Sequence, residues 1–398
     1  MKLKHVMIIA GEASGDLHGS KLVRSICNRN KKIHFSGIGG QALRDAGVEI
    51  LVDASELSVV GITEVFSKIP NLFKAIANVK RHLKSIKPDL VILIDFPDFN
   101  LKIAAAAKKL NIPVLYYISP QVWAWRPGRV KIIRKLVDHV AVILPFEKDF
   151  YKKHNVPVTF VGHPLLDNYA KNNYHQSGKL ETKERADSQA CDVKRVENEN
   201  HEMLVIGLLP GSRDREVIRH LPVMLDAAKI LQSRLKNIKF IISMAPSVEK
   251  KHVEEILKKH KGIYNYQIAT GDVKNVFKMC GIVVAASGTV TLEAAIAGAP
   301  TVIIYKLSFV SYWLGKLMVR VKNFGLVNLI AGENIVPELL QDEASPENIA
   351  NSVFNMLNDA KGLQKLRNKL FEIRDMLGGP GASERVAEIA LSMMEKKY

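Results

Sequence analysis

The sequence predicts an α/β protein built from two doubly wound domains in tandem, and three observations carry that prediction. Over the first 165 residues short apolar runs alternate with amphipathic segments, the pattern of a parallel sheet with helices on both faces. From about 170 to 201 the texture changes to a polar, aperiodic stretch, "AKNNYHQSGKLETKERADSQACDVKRVENENHE", which reads as a linker or insertion. The alternation then restarts and continues towards the C-terminus.

In chain order, the first set of strands is "HVMIIAG" (5–11), "IHFSGIGG" (33–40), "LVILID" (90–95), "VLYYIS" (114–119), "HVAVILP" (139–145) and "VTFVGHP" (158–164). Helical patterns occupy 15–30, 64–87, 100–111 and 126–137. The second set is "MLVIGLLPGSR" (203–213), "KFIISMAP" (239–246), "YQIATG" (266–271), "IVVAASGT" (282–289) and "TVIIY" (301–305). "SERVAEIALSMMEKKY" closes the chain as an amphipathic helix with Ser383 as N-cap, able to pack on either domain. The expected boundaries are therefore 1–169, a join over 170–201, 202–378 and a terminal helix over 379–398. Ligands of such sheets sit outside the carboxyl ends of the strands, so a pair of them predicts a cleft between domains.

Composition narrows the function classes. The 398 residues are 47% hydrophobic and 24% charged, and no run of 18 apolar residues suits a membrane span. "VMIIA" near the N-terminus is too short for a signal sequence core and leads into a glycine turn. Three cysteines, Cys27, Cys191 and Cys280, have neither disulfide-framework nor zinc spacing. The net charge of +17 is the anomaly and favours polyanionic partners: nucleic acid, anionic lipid or phosphorylated substrates.

"VILIDFPDFN" (91–100) places four apolar residues, Val91 to Ile94, before two carboxylates, Asp95 and Asp98, that bracket a proline. Asp95, directly after a buried strand, is a candidate acid or base; Asp98 precedes a helical run and suits a cap. "AGEASGDLHGS" (10–20) puts Gly11, Ser14, Gly15 and Asp16 at a strand–helix turn with Glu12 and His18. Glycines there let a ligand approach backbone amides, although a plain turn explains them as well. The spacing is looser than a dinucleotide fingerprint, and the acid expected after strand two is missing.

"LLPGSRDREV" (208–217) gathers Gly211, Ser212 and Arg213 at a helix start, a combination suited to a diphosphate; the bland alternative is a solvated surface arginine. In "AASGTVTLEAAIAG" (285–298), Ser287, Gly288 and Thr289 can meet phosphate oxygens while Glu293 meets a ribose diol. Its alternative is a small-residue helix with Glu293 as a first-turn dipole partner. Three segments mix basic with large apolar residues: 66–87, which contains Phe73 and no acid; 116–135, with Trp123, Trp125 and Arg126; and 307–326, with Trp313. Each alone reads as a core face plus a solvated face. Together they favour a membrane surface carrying anionic lipid. Without a recognisable module they do not suggest nucleic acid.

"AGEASGD", "IDFPDFN", "YYISPQVWAWRPGR", "LPFEKDFY", "FVGHPL", "LLPGSR" and "SGT-x-x-LE" together resemble the lipid-A-disaccharide synthase family, over residues 5 to about 375. The stretch near 170–201 is longer than that family's usual join. The resemblance implies a GT-B fold, two Rossmann-like domains facing a central cleft, with acceptor on the N-terminal side and UDP-sugar on the C-terminal side. It implies an inverting transfer from UDP-2,3-diacylglucosamine to the 6-hydroxyl of 2,3-diacylglucosamine 1-phosphate, giving a β-1,6-linked disaccharide phosphate and UDP. Asp95 is then the expected base, with Asp98 orienting or substituting, and Glu12, Asp16 and His18 forming a second polar wall. Arg213 with Ser212 and Thr289 would neutralise the leaving UDP, and Asn328 in "GLVNLIAG" would lie on the nucleotide side. No metal or other cofactor is expected, since no Asp-x-Asp pair is present. Phe73, Trp123, Trp125, Arg126 and Trp313 are the expected membrane or acyl contacts. The location implied is the cytoplasmic face of the inner membrane. The alternatives are another GT-B enzyme such as a UDP-sugar 2-epimerase, an NAD-dependent oxidoreductase, and a non-enzymatic polyanion-binding protein.

Overall fold

The structure is a computed structural model that describes residues 3–57, 62–125, 127–173, 195–198, 201–260, 262–306 and 324–395. The chain divides into two compact units. One comprises Met1–His175 with Leu377–Tyr398, and the other Gln176–Met376. Arg126, Trp313, most of the polar stretch at 170–201 and the segment 307–323 lie outside the described residues, as does the side chain of Trp125.

The first unit is a seven-stranded, wholly parallel sheet. Its strands are β1 Lys4–Ala10, β2 Ile33–Gly39, β3 Glu49–Asp53, β4 Leu90–Ile94, β5 Val114–Tyr117, β6 His139–Val142 and β7 Val158–Phe160, in spatial order β3-β2-β1-β4-β5-β6-β7. The order reverses between β1 and β4, where Ile8 pairs with Ile92. Alternation along the strands sorts side chains to two faces. Met7, Ile9, Val91 and Leu93 face one way, where helices Ile62–Ile86 and Pro97–Lys109 cover them. Val6, Ile8, Ile92 and Ile94 face the other, under helices Ala13–Arg29 and Ala382–Glu395. All eight strand residues are fully buried, and each such side chain contributes roughly 1.5–3 kcal/mol of transfer free energy.

The terminal helix thus belongs to the first unit. Arg385 Nε donates to the Val161 carbonyl at 2.8 Å, and Asp167 accepts from the Gly381 amide at 2.7 Å. The helix begins at Ala382, so Ser383 is buried inside it rather than capping it.

The second unit repeats the architecture. Its strands are β8 Arg195–Asn198, β9 His201–Leu209, β10 Ile238–Met244, β11 Tyr266–Thr270, β12 Ile282–Ala286, β13 Thr301–Tyr305 and β14 Glu338–Leu340. The parallel order is β11-β10-β9-β12-β13-β14, and β8 pairs antiparallel with the start of β9. Helices Asp214–Arg234 and Pro346–Asn358 pack together over one face. Here the reversal falls between β9 and β12. No helix among the described residues is long and apolar enough to cross a membrane.

Candidate active site

Ligands of doubly wound sheets gather where strand order reverses, and in the first unit that point lies between the exits of β1 and β4. Asp95 is the first residue past β4, half-buried, with φ +46°; Phe96 follows at φ +49°. Ile118, past the neighbouring β5, has φ +56° and accepts the Asp95 amide at 3.2 Å. Left-handed backbone is uncommon for non-glycine residues, and for a β-branched residue it is strained. Two side chains hold it in place: Asn100 Nδ2 and Tyr116 Oη both donate to the Asp95 carbonyl, at 2.6 and 2.8 Å. The outcome is a carboxyl group projected from a braced turn. Burial and then the nearby Glu12 carboxylate push it up to about 6, with the Phe96 amide partly opposing them.

Gly11 explains how the two exits approach. A Cβ there would stand 2.3 Å from the Phe96 ring, so only glycine lets the ring cross the β1 exit. Glu12 and Ser14, at the start of helix Ala13–Arg29, are exposed, and Gly15 is buried against Ala10 and Ile94.

Two neighbours have other tasks. Asp16 is buried and accepts from the amides of Gly40, Ala42 and Leu43 at 2.7, 2.9 and 3.1 Å. It therefore caps the start of helix Gln41–Asp45, which corrects its expected place in a substrate-facing wall. His18 is grouped with Lys21, Asp167 and His163 rather than with Asp95. Burial first, then Lys21, lowers its pKa to about 4, against an opposing pull from Asp167. His163 is pushed down to about 3 by burial and then by His18.

Asp98 is exposed in the first turn of helix Pro97–Lys109 and paired with Arg129 at 2.5 Å. The N-cap is Phe96, so Asp98 is neither the cap nor a second buried carboxyl. Trp123 is half-buried, and its ring meets Phe146 edge-on at 4.9 Å. Its indole N–H donates to Glu147 Oε1 at 3.1 Å. The indole nitrogen is thus turned inwards to Glu147, while the half-buried ring keeps part of its surface exposed. Glu147 also accepts the Leu144 amide at 3.1 Å; burial pushes its carboxyl up to about 7, while the Trp123 and backbone hydrogen bonds pull it back.

In the second unit the exits of β9 and β12 carry the expected nucleotide residues. Gly211 has φ +128°, and a Cβ on it would lie 2.5 Å from the Glu216 carboxylate. Glu216 accepts the Ser212 amide at 2.8 Å and reaches Arg213 at 3.8 Å. Arg213 is the N-cap residue of helix Asp214–Arg234, its side chain 73% exposed. Gly288 caps helix Thr289–Ile296; Gly288 and Thr289 are exposed and Ser287 is half-buried. The Ser212 amide is engaged by Glu216 and the Ser287 amide by the Ile304 carbonyl at 2.9 Å, which leaves hydroxyls, the Arg213 guanidinium and the amides at the start of helix Thr289–Ile296 as the groups open to an anion. Glu293 is half-buried behind them; burial raises its pKa, the Lys274 cation opposes that and Asp272 adds to it.

Asn328 is buried, and its side-chain amide is engaged within the protein. Its Nδ2 donates to the Val336 carbonyl and Glu338 at 2.8 and 2.7 Å, and its Oδ1 accepts the Ile335 and Val336 amides at 2.8 and 3.0 Å. An amide can make four such bonds, and all four are made within the protein. These bonds staple the turn before β14.

Asn100, Tyr116 and Glu147 were not singled out by sequence reasoning. Only Glu147 had a usable signal, because "LPFE" spaces it three residues past the helix start, where a carboxylate folds back on the cap amide. No group of three or more His, Cys, Asp or Glu among the described residues is arranged to hold a metal ion.

Comparison with known proteins gives the family and the fold. The profile of a family described as lipid-A-disaccharide synthetase matches residues 6–391. The lipid-A-disaccharide synthase of Geobacter metallireducens is 46% identical over 394 residues, 99% of this chain and 98% of that one. That of Syntrophus aciditrophicus is 43% identical over 398 residues, 100% and 99% of the two chains. Among solved structures, the UDP-GlcNAc 2-epimerase of Neisseria meningitidis bound to UDP-GlcNAc superposes with TM-score 0.61 at 13% identity, over 98% of this chain and 100% of that one. MurG of Acinetobacter baumannii does so with TM-score 0.57 at 16% identity, over 98% and 99%. At such identities the likeness is one of fold, that of GT-B enzymes.

Proposed function

The chain belongs to the lipid-A-disaccharide synthetase family, and on that premise we propose how its residues divide the reaction. It is a glycosyltransferase that joins UDP-2,3-diacylglucosamine to 2,3-diacylglucosamine 1-phosphate, with UDP as the leaving group. An α-linked donor giving a β-linked product undergoes one inversion at the anomeric carbon. The acceptor's 6-hydroxyl loses its proton to a base, its oxygen bonds to that carbon, and the bond to UDP breaks.

Asp95 is the base in this reading. The observation that carries the assignment is its position: a braced, left-handed turn at the β4 exit with the carboxyl pushed up to about 6. Such a group is mostly ionised at neutral pH yet more basic than an ordinary aspartate, which suits general base catalysis. Glu12 raises that basicity across the β1 exit. The amides of Gly288 and Thr289, the hydroxyls of Ser212, Ser287 and Thr289 and the Arg213 guanidinium take up the charge developing on UDP, and Glu293 binds the ribose diol; the Ser212 and Ser287 amides are already spent on Glu216 and the Ile304 carbonyl. The acyl chains of both substrates require access to a bilayer. Helix Ile62–Ile86 offers a surface for anionic lipid through Phe73, 58% exposed with Lys102 Nζ 5.2 Å from its ring centroid. The chain's net charge of +17 supports that contact.

The test is UDP release in detergent–phospholipid mixed micelles by wild type and Asp95→Asn, with UDP binding followed in parallel. A loss of roughly 10²–10⁴-fold in kcat with UDP affinity kept is the result expected of a missing general base. Full activity in the variant would remove Asp95 from that role.

A further inference from the structure

We propose that His220 is a positioning residue of the nucleotide site, a neutral imidazole that fixes the spacing between the β9 turn and the β13 exit. The inference rests on the reading of those turns as the nucleotide cradle. His220 lies on the second turn of helix Asp214–Arg234, is 3% exposed and contacts no expected ligand group itself. Its Nδ1 is 3.1 Å from the Pro210 carbonyl and its Nε2 is 3.2 Å from the Lys306 amide. A carbonyl can only accept and an amide N–H can only donate. The proton must therefore sit on Nδ1 while Nε2 accepts, and no other single-ring state makes both bonds.

The place of these two bonds in the sheet gives them their consequence. Pro210 follows β9 and Lys306 follows β13, and β12 lies between those strands. The imidazole therefore ties two non-adjacent exits across the one that carries Ser287, Gly288 and Thr289. Lys306 is held at its other end as well, since Arg219 donates to its carbonyl at 3.1 Å. A shift of Pro210 would carry Gly211, Ser212 and Arg213 with it. Protonating the ring removes the acceptor at Nε2 and puts two donors where one donor and one acceptor are needed. The charged groups acting on the ring are Glu216 and Arg219 of its own helix, with the Pro210 and Lys306 backbone on the strand side. Burial is the largest influence and holds the pKa below the ordinary histidine value.

Three variants of the full chain separate the bonds. His220→Leu removes both. His220→Asn keeps a donor near the position of Nδ1, and His220→Gln keeps an acceptor near that of Nε2. The donor-substrate KM and the UDP Kd should rise about tenfold or more in the leucine variant, the scale of a lost buried hydrogen bond or two. Acceptor KM should be unchanged, and asparagine and glutamine should each recover part of the loss. The imidazole ¹⁵N signals of wild type should show the Nδ1–H tautomer, persisting to lower pH than in an ordinary histidine. Hydrogen exchange of the Lys306 amide should speed up in the leucine variant and be slowed again in the glutamine one.

A folded leucine variant that binds UDP as wild type does would overturn the proposal, as would an Nε2–H tautomer. If wild type itself binds no UDP, the nucleotide reading of the cradle fails with it. The tautomer and the Lys306 exchange would then still report whether the brace exists.

Discussion

At Asp95 the burial that makes the carboxylate a better base also makes the folded chain less stable at neutral pH. The group rises from an ordinary 3.8 to about 6 on folding, so between those values the native state holds more protons than the unfolded chain. Stability from this group is therefore greatest at low pH and is lost as pH rises from about 4 through 6, a penalty of up to about 3 kcal/mol at pH 7. Asp95→Asn should consequently melt several degrees higher than wild type at pH 7.5 while losing activity, with the gap closing near pH 4. Thermal melts at both pH values check this, and a lower melting temperature at pH 7.5 would contradict it. Asn328 gives the opposite pattern. Alanine there strands the Ile335 and Val336 amides and releases Glu338, at a cost of about 2 kcal/mol or more. Its melting temperature should fall with UDP affinity nearly unchanged wherever the chain is folded. A ligand contact would instead give weak binding at an unchanged melting temperature.

Among elements, the strand exits carry the proposed site, and they are the parts least legible in the sequence. Buried parallel strands announce themselves as unbroken apolar runs, so β1, β4, β9 and β12 fall where the runs predict. Glu49–Asp53 does not, because it is a half-buried edge strand, and Glu338–Leu340 is too short to show a period. Asp95 is a candidate in the sequence because charge directly after four apolar residues needs a reason. Its supports are not legible there. "VLYY" reads as core, and whether the Tyr116 hydroxyl finds the Asp95 carbonyl depends on the β4–β5 register. Asp16 looked like a ligand group because its amide partners lie 24 to 27 residues away. The crossing of Phe96 over Gly11 was likewise invisible, and it makes an element-scale prediction. Gly11→Ala should push the ring aside, disturb the Asp95 turn and lower kcat by roughly 10²-fold, the scale of a small misplacement at a reacting group. UDP affinity, assigned in the proposal to the other unit, should stay as in wild type. Activity within twofold of wild type would show that the turn does not depend on this approach.

At the scale of the whole molecule, two sheets with their own cores leave the net charge of +17 without a structural use. A surplus of that size repels itself, so a compensating anionic partner is the physical expectation. The lipid surface proposed above would meet helix Ile62–Ile86. Lys74, Lys80, Arg81 and Lys84 are exposed there, while Ala75, Ile76, Val79 and Leu83 face the core. This is an amphipathic helix whose inner face is already covered, so what remains for a membrane is charge with Phe73 at its edge. Binding should then be mainly electrostatic. Each cation near an anionic bilayer contributes about 1 kcal/mol, screened within a Debye length of about 10 Å at 0.1 M salt and about 3 Å at 1 M. The full chain should sediment with vesicles containing anionic phospholipid at low salt and be released as salt rises. Replacing Lys74, Lys80, Arg81 and Lys84 by glutamine should weaken that binding at least tenfold, and Phe73→Ser by less. Equal binding to zwitterionic vesicles at high salt would mean that apolar insertion outweighs charge, and would move the contact away from this face of the helix.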